Sequence, residues 1–325
     1  MYDVITIGSA TKDIFLVSKH FQIIQSEQFA TGYGECVAFG SKIEIEKAIM
    51  TTGGGGTNAA ATFAQLGFKT AVITRIGDDS SGRDVLEDLK LAGVKTTLVQ
   101  KIKDGQTGLG VQLTAKDGER SVLVNRGVSS SFSPKDIPWP KLKSKWIYMT
   151  SLAGNTALAA RIAKHAKANN IKIAFNPGSK ELKKGLRGMK SIMANLTLLN
   201  LNLEEAQLLA GSKTKEVDAL CKKIGREGLT LIITDGPRGA YAHQNGETWF
   251  VRPSPTKGIS RTGAGDAFGS GLVASLAKGN DIPHSLRVGV ENAESIIQSY
   301  GAKIGILKKW PTKSRLTRYK VRKLS

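Results

Sequence analysis

Two hydrophobic periods alternate along most of the chain. Short apolar runs of strand length occur at residues 3–8, 70–78, 146–149, 172–178, 196–200 and 229–236. Segments such as 80–92 and 156–169, whose apolar residues recur at helical spacing, lie between them. Strands that alternate with helices form parallel sheets covered on both faces. The pattern therefore predicts an α/β fold with a mostly parallel central sheet flanked by helices.

Two stretches differ from this pattern. In them, apolar and polar residues alternate one by one, as in half-buried strands. One lies within residues 15–50, where 35–39 and 42–47 alternate. The other covers 107–125, around a hairpin turn at 116–119. We expect this hairpin to pair with the strands of the first stretch, which would build one small sheet from two separated segments.

These patterns divide the chain into three parts. The predicted core comprises residues 1–14, 51–105 and 127–310, and the small discontinuous sheet comprises 15–50 and 106–126. Residues 311–325 form a predicted basic C-terminal tail. A late hairpin with Asn245-Gly246 at its turn is predicted within the core.

Composition narrows the class of protein. The chain has 325 residues, of which 40% are hydrophobic, and no run approaches membrane-spanning length. Its N-terminus enters a β-type alternation without the basic flank and apolar stretch of a signal peptide, so we expect a cytoplasmic protein. Cys36 and Cys221 lack metal-type spacing and are expected to be free thiols.

The formal net charge of +20 raises the question of a nucleic-acid partner. Lysine and arginine are scattered along the whole chain and become dense only after Lys308. A basic tail that includes Trp310 and Tyr319 could touch RNA or an acidic surface, although such tails are usually solvated. Nucleic-acid binding through the tail and the basic surface is kept as an alternative function of a different class.

Residues 263–265 are predicted to form a glycine-rich turn that could take part in catalysis. Small and apolar residues at helical spacing follow the turn, so amides bare of side chains would open a helix and form an anion site. Asp266 would lie in the first helical turn beside that site. An anion cradle next to a carboxylate base suits phosphoryl transfer to a hydroxyl. A capped, glycine-rich helix N-terminus is the alternative interpretation.

A second glycine segment, 53–56, precedes an alanine-rich helix that begins near Asn58. Four consecutive glycines are entropically costly to order, and close approach of the backbone to a ligand would explain them. Asn58 could bind a polyol as well as cap the helix. Asp13 follows the first predicted strand, at the edge where open parallel sheets bind ligands. Asp13 could therefore bind a hydroxyl, or be an ordinary turn aspartate.

Four motifs together resemble the PfkB-type carbohydrate kinase family, the ribokinase-like sugar and nucleoside kinases. The motifs, in the family's order, are Gly53-Gly54-Gly55-Gly56-Thr57-Asn58, Asn202-Leu203-Glu204-Glu205, Thr234-Asp235-Gly236 and Thr262-Gly263-Ala264-Gly265-Asp266-Ala267-Phe268. The resemblance implies a ribokinase-like three-layer α/β/α sandwich in which the small sheet is a lid over the substrate. It also implies a homodimer formed through that lid.

The resemblance implies a role for each motif residue. Asp266 would be the general base, and the amides of Gly263, Ala264 and Gly265 the anion hole. The acceptor hydroxyls would be bound by Asp13, Gly54, Gly55 and Asn58. The ATP-binding residues would be Asn202, Glu205, Thr234, Gly236, Arg261 and Thr262, with Glu205 organising Mg²⁺ through water. The expected reaction is ATP-dependent phosphorylation of a sugar or nucleoside hydroxyl. A 6-phosphofructokinase-like phosphosugar kinase is the alternative, since Arg126 near the lid could hold a second phosphate.

The chain departs from the family pattern in three places. Members activated by a monovalent cation usually carry an acidic residue where this chain has Ser260, so strong K⁺ dependence is not expected. We hypothesise that the guanidinium of Arg261 partly replaces that cation. Residues 151–154 lack the glutamate that reaches the ribose in ribokinase-like enzymes, and the segment between Asp13 and Gly53 is long. Both leave room for a bulkier acceptor such as a nucleoside.

Overall fold

Seventeen β-strands and ten α-helices make up the part of the chain that the computed structural model describes, residues 1–29, 32–115 and 120–324. The strands are β1 Tyr2–Ile7, β2 Thr11–Val17, β3 Gln22–Gln25, β4 Tyr33–Cys36, β5 Lys47–Gly53, β6 Thr70–Ile73, β7 Arg75–Gly77, β8 Gln100–Ile102, β9 Gly108–Thr114, β10 Arg120–Asn125, β11 Ser144–Thr150, β12 Lys172–Asn176, β13 Leu198–Asn202, β14 Thr230–Thr234, β15 Ala240–Gln244, β16 Glu247–Val251 and β17 Val321–Lys323. The helices are α1 Gly55–Gln65, α2 Ser80–Leu91, α3 Thr156–Ala168, α4 Ser179–Leu182, α5 Gly185–Met193, α6 Leu203–Ala210, α7 Val217–Ile224, α8 Ala264–Ala277, α9 Ile282–Ile296 and α10 Lys313–Thr317.

A large central sheet organises the molecule, with spatial order β17-β16-β15-β14-β13-β12-β11-β1-β6. The six strands from β14 to β6 are parallel, while β15, β16 and β17 add an antiparallel edge. The late hairpin is confirmed, because β15 and β16 pair across Asn245-Gly246. Chain order reverses at β1, which is followed by β6 on one side and pairs with β11 on the other. Open α/β sheets bind ligands at such a switch point, outside the carboxyl ends of the strands.

Helices cover both faces of this sheet, as the continuous apolar runs predict. One core packs residues such as Ile7, Ile147 and Phe175 against α3, α5, α6 and α7. The other packs Tyr148 and Leu198 against α1, α8 and α9. These three layers are the predicted α/β/α sandwich, and they explain why the parallel strands read as unbroken hydrophobic segments.

A separate four-stranded sheet, which we call the lid, has the order β10-β9-β2-β5. Its β2 pairs with β5 and β9, so two distant segments build one sheet as expected. The sheet begins at Thr11 and runs through Gly53, beyond the predicted bounds at residues 15 and 50. Strand structure was predicted wrongly at 42–46, which carry none, and β4 pairs with β3 in a separate two-stranded sheet. The predicted turn at 116–119 lies outside the described residues.

The basic segment from residue 311 is not a detached tail in the structure. Its α10 packs on α9, and β17 extends the central sheet by pairing with β16. Leu316 and Tyr319 are buried, and they anchor the segment in spite of its basic composition. The indole of Trp310 donates a hydrogen bond to the Leu66 carbonyl. The aromatic residues proposed to contact RNA are therefore engaged with the core.

Two further expectations concern the chain as a whole. Cys36 and Cys221 are free thiols, as predicted. Across the residues that the structure describes, no helix has the length and apolar character needed to cross a membrane.

Candidate active site

The candidate site lies where β1 and β11 end. A Cβ added to Gly8 would lie 1.9 Å from the hydroxyl oxygen of Thr150 and 3.0 Å from the amide nitrogen of Gly56. The ends of the two strands and the start of α1 are therefore in close contact. This places the glycine segment 53–56 at the switch point of the sheet.

Gly54 and Asn58 give the glycine segment its shape. Gly54 has φ 96°, a left-handed conformation that glycine adopts readily, and its carbonyl accepts the Asn58 amide at 2.9 Å. A Cβ at Gly54 would lie 2.5 Å from the Ser9 carbonyl oxygen. Asn58 caps nothing with its side chain; its Nδ2 donates to Asp266 Oδ2 at 2.9 Å. The capping alternative for Asn58 is therefore wrong.

Asp13 belongs to the lid. It lies in β2, where Cβ positions at Gly53 and Gly110 on the neighbouring strands would come within 2.0 and 2.9 Å of its carboxylate oxygens. The two glycines leave space for this side chain between three strands. Burial raises the pKa of Asp13, while a hydrogen bond from Thr11 and the charge of Lys303 lower it. The alternative interpretation of Asp13 as an ordinary turn aspartate is therefore wrong.

Asp266 lies in the first turn of α8, where it accepts a hydrogen bond from Asn58 and interacts electrostatically with Asp13. Burial raises the pKa of Asp266, the Asn58 hydrogen bond lowers it, and the negative charge of Asp13 raises it again. A base with a raised pKa accepts a proton more readily near neutral pH. Tyr148, which sequence reasoning missed, has a buried hydroxyl near the side-chain amide of Asn200. The pKa of Tyr148 is raised by burial and by the charge of Asp266, and it is lowered by Asn200.

The turn before α8 presents backbone amides without internal partners. Gly263 has φ 81° and a Cβ there would lie 2.5 Å from the Cβ of Ala302, so only glycine fits easily. The Ala264 amide donates to the Arg261 carbonyl at 3.3 Å. Within the described residues, the amides of Gly263, Gly265 and Asp266 donate to no acceptor. Compared with the predicted anion hole, the Gly263 and Gly265 amides are free as expected, the Ala264 amide is paired, and the Asp266 amide is an additional free donor.

A cavity of about 370 Å³ adjoins this turn. Four predicted nucleotide residues line it together with Ala264 and Gly265, namely Asn202, Thr234, Gly236 and Arg261. The remaining walls are mostly apolar or small, and they include Phe268, Val290 and Ile297. Such a cleft, with few polar groups converging at one end, is typical of small-molecule sites.

Asn202 and Glu205 form a reciprocal cap at the start of α6. The Asn202 side chain accepts the Glu205 amide at 2.8 Å, and Glu205 Oε2 accepts the Asn202 amide at 2.9 Å. Burial raises the pKa of Glu205, the Asn202 amide lowers it, and the charge of Asp266 raises it again. The second oxygen of Glu205 accepts no hydrogen bond from the described residues. Among all the residues that the structure describes, no group of three or more His, Cys, Asp or Glu side chains could hold a metal ion.

The remaining predicted residue, Thr262, reaches the lid. Its hydroxyl donates to Oε1 of Gln112 on β9 at 2.5 Å, so the turn before α8 contacts the lid directly. Lys303 makes a second link that the sequence did not indicate. Its side chain is 7% exposed, pairs with Asp88 at 2.9 Å and donates to Thr52 on β5. Neither link has a local sequence signal, because each joins residues far apart in the chain. Thr262 and Gln112 are 150 positions apart, and Lys303 and Thr52 are 251 positions apart.

Comparison with known proteins agrees with this geometry. The model of the pfkB family of carbohydrate kinases matches residues 23–309. An uncharacterised sugar kinase of Archaeoglobus fulgidus is 29% identical over 75% of this chain and 97% of its own length. A ribokinase of Haemophilus influenzae is 27% identical over 78% and 83% of the two chains. An ATP-dependent ribose-1-phosphate kinase of Halopiger xanaduensis is 28% identical over 72% and 76%.

Solved structures share the fold over almost the whole chain. The nucleoside kinase of Methanocaldococcus jannaschii, an archaeal member of the ribokinase family, superposes with a TM-score of 0.78 at 20% identity, covering 97% of this chain and 98% of that one. Arabidopsis thaliana ribokinase, solved with ribose and ATP, gives a TM-score of 0.75 at 20% identity, covering 98% of both chains.

Proposed function

Because the chain belongs to the pfkB family of carbohydrate kinases, which transfer phosphoryl groups to sugar hydroxyls, we propose that it phosphorylates a hydroxyl of a free sugar or nucleoside with ATP. One observation carries the proposal. A carboxylate with a raised pKa, Asp266, directly follows a turn of unpaired amides that borders a cavity of about 370 Å³. Base, anion site and nucleotide space thus meet at one helix N-terminus.

Asp266 acts on the acceptor. Its carboxylate takes the proton of the acceptor hydroxyl as the oxygen of that hydroxyl bonds to the γ-phosphorus and the bond to the β-phosphate oxygen breaks. Asn58 fixes one carboxylate oxygen by its hydrogen bond and leaves the other for the acceptor. Asp13 of the lid and Gly54 and Gly55 of the glycine segment bind the other hydroxyls of the acceptor.

The turn before α8 acts on the donor. The amides of Gly263, Gly265 and Asp266 hold the transferred phosphoryl group, because unpaired donors at a helix N-terminus stabilise developing negative charge. Thr234 and Gly236, which line the cavity, contact the nucleotide. Bound Mg²⁺ would offset the phosphate charge, and the free oxygen of Glu205, near the negative Asp266, fits a water-mediated role in holding it.

The lid excludes water from this chemistry. Its contacts to the core, Gln112 to Thr262 and Thr52 to Lys303, hold it over the turn and the glycine segment. Exclusion of water limits transfer of the phosphoryl group to solvent. The lid also supports the proposal of a homodimer, because Val122, Leu123 and Val124 on its edge strand β10 are all exposed.

An Asp266→Asn variant tests the mechanism. We expect normal substrate binding and a turnover reduced by about 10²–10⁴-fold, the usual contribution of a general base. Asp281→Asn is the matched control, since Asp281 caps α9 away from the site and asparagine caps helices equally well. Turnover of Asp266→Asn close to that of the control would remove Asp266 from its role.

A phosphosugar acceptor is the second candidate, and one observation favours it. A small cavity of about 50 Å³ lies beside the lid and is lined by Arg126, Ser9, Thr11 and Ser151. Its size and the guanidinium suit one phosphate group. A coupled assay over ribose, fructose, adenosine, inosine, guanosine, cytidine, ribose 1-phosphate and fructose 6-phosphate separates the candidates. A phosphosugar preference that disappears in Arg126→Met would favour the second, and a preference for unphosphorylated acceptors would exclude it.

No observation favours the nucleic-acid alternative. Three basic residues of the C-terminal segment form ion pairs within the chain, Arg315 and Arg318 with Glu291 and Lys323 with Glu247. Salt-dependent RNA binding without turnover of any hydroxyl acceptor would overturn the kinase proposal.

A further inference from the structure

Helix α9 carries two acidic residues that need partners, and one of them, Glu294, lines the nucleotide cavity. Glu291 is fully buried and Glu294 is 8% exposed. Buried carboxylates are costly unless they are paired and hydrogen-bonded. Glu294 lines the cavity itself, together with Val290, Ala293 and Ile297 of the same helix region.

The partners come from the C-terminal segment. The hydroxyl of Tyr319 lies 2.8 Å from Oε2 of Glu291 and 2.8 Å from Oε2 of Glu294. Arg318 reaches the same two oxygens at 2.8 and 3.1 Å. The ring of Tyr319 is buried, and its carbonyl accepts a hydrogen bond from Arg287. Arg318 and Tyr319 thus fix the position of the Glu294 carboxylate.

The other oxygen of Glu294 points to the cavity rim. Its Oε1 accepts the amide of Ser254 at 2.5 Å. Ser254 belongs to the loop that follows β16, and three residues of this loop line the cavity, Pro253, Ser254 and Thr256. The loop has no strand or helix of its own, so this hydrogen bond is a main restraint on its backbone. One continuous chain of contacts therefore joins the C-terminal segment to the nucleotide cavity.

We infer that Arg318 and Tyr319 are positioning residues for the nucleotide, acting through Glu294 on the loop at 253–256. The inference rests on the proposed use of this cavity for ATP. It assigns to the basic C-terminal segment a role in donor affinity. The acceptor groups Asp13 and Asn58 lie on β2 and α1, outside this chain of contacts, so acceptor affinity is independent of the segment.

A Tyr319→Phe variant tests the inference, because it keeps the buried ring and removes only the hydroxyl that joins the two carboxylates. We expect the Kd for ADP, measured by calorimetry, and the KM for ATP to rise about tenfold, the loss of roughly one hydrogen bond to a charged group. The KM for the acceptor is expected to stay unchanged. Glu294→Gln weakens the same contacts by changing the carboxylate instead of the hydroxyl. It is expected to raise the KM for ATP and to leave the KM for the acceptor unchanged.

Lys323→Gln is the matched control. It breaks an exposed ion pair of the same segment with Glu247 and leaves Glu294 untouched, so both KM values are expected to stay at those of the unmodified protein. An unchanged ADP affinity in folded Tyr319→Phe and Glu294→Gln would overturn the inference. An equal loss of donor and acceptor affinity would also overturn it, since that result would indicate a general loss of structure and not an effect on the loop at 253–256. Failure of the unmodified protein to bind ADP or ATP would instead refute the proposed function.

Discussion

Two glycines of the turn before α8 offer a test in which stability and activity separate. Gly263 has φ 81°, and a Cβ there would lie 2.5 Å from the Cβ and 2.7 Å from the Cα of Ala302. Gly265, two residues on, lines the nucleotide cavity, and a Cβ there would meet no atom within 4 Å. The same substitution by alanine should therefore act on different properties at the two positions.

The structure sets the size of each effect. In Gly263→Ala, the left-handed backbone costs about 1–2 kcal/mol and the overlap with a neighbouring backbone about 1–3 kcal/mol. We therefore expect the free energy of unfolding to fall by about 2–5 kcal/mol. Gly265→Ala places alanine in a helical turn with free space, which favours the folded state by about 0.5–1 kcal/mol. Its methyl group, however, enters the space in front of the amides that would hold the phosphoryl group.

Urea unfolding and steady-state kinetics measure the two effects on the same samples. The expected result is a less stable Gly263→Ala and a stable Gly265→Ala whose kcat/KM for ATP is strongly reduced. Full stability in Gly263→Ala would refute the close approach to Ala302. Unchanged kinetics in Gly265→Ala would show that the phosphoryl group is not held at this turn.

Three further predictions concern the base, the cation and the lid. Asn58→Ala removes a hydrogen bond that favours the charged carboxylate, so the pKa of Asp266 should rise and the acidic limb of the kcat–pH profile should move to higher pH, whereas an unmoved limb would exclude Asp266 as the titrating base. Replacing Na⁺ by K⁺ should change the turnover of the unmodified protein little, while Arg261→Ala should create a K⁺ requirement. Many-fold activation of the unmodified protein by K⁺ would contradict the hypothesis that Arg261 takes the place of the cation. Leu123→Lys on the exposed edge of the lid should convert the proposed dimer into a monomer in sedimentation experiments, and a monomeric unmodified protein would contradict a lid-mediated dimer.

The sequence predicts those parts of the molecule that depend on local periodicity. The parallel strands, the hairpin at Asn245-Gly246 and the helix that follows Gly263 all have local residue patterns and flanking turn residues that favour one kind of element. The lid bounds were displaced because β2 begins with three polar or charged residues, Thr11, Lys12 and Asp13, which resemble a turn more than a strand. Their strand character comes from pairing with β5 and β9, and pairing is a tertiary property.

The C-terminal segment shows the same limit more sharply. Its charge suggested solvation, but Arg315 and Arg318 pair with two glutamates of α9, Glu291 and Glu294. Nothing local indicates that Glu291 is buried, because burial is decided by the packing of α8, α10 and the sheet around it. Gln112 and Lys303 were missed for the same reason, since each meets its partner only in the folded chain.

The position of Asp13 has a consequence for the base itself. Asp13 is carried by a strand that pairs with β5 and β9 of the lid, whereas Asp266 is carried by a helix of the core. The negative charge of Asp13 is one of the reasons why the pKa of Asp266 is raised. Any displacement of the lid would take that charge away and weaken the affinity of Asp266 for a proton. In the proposed mechanism, the core and the lid would therefore set the strength of the base together.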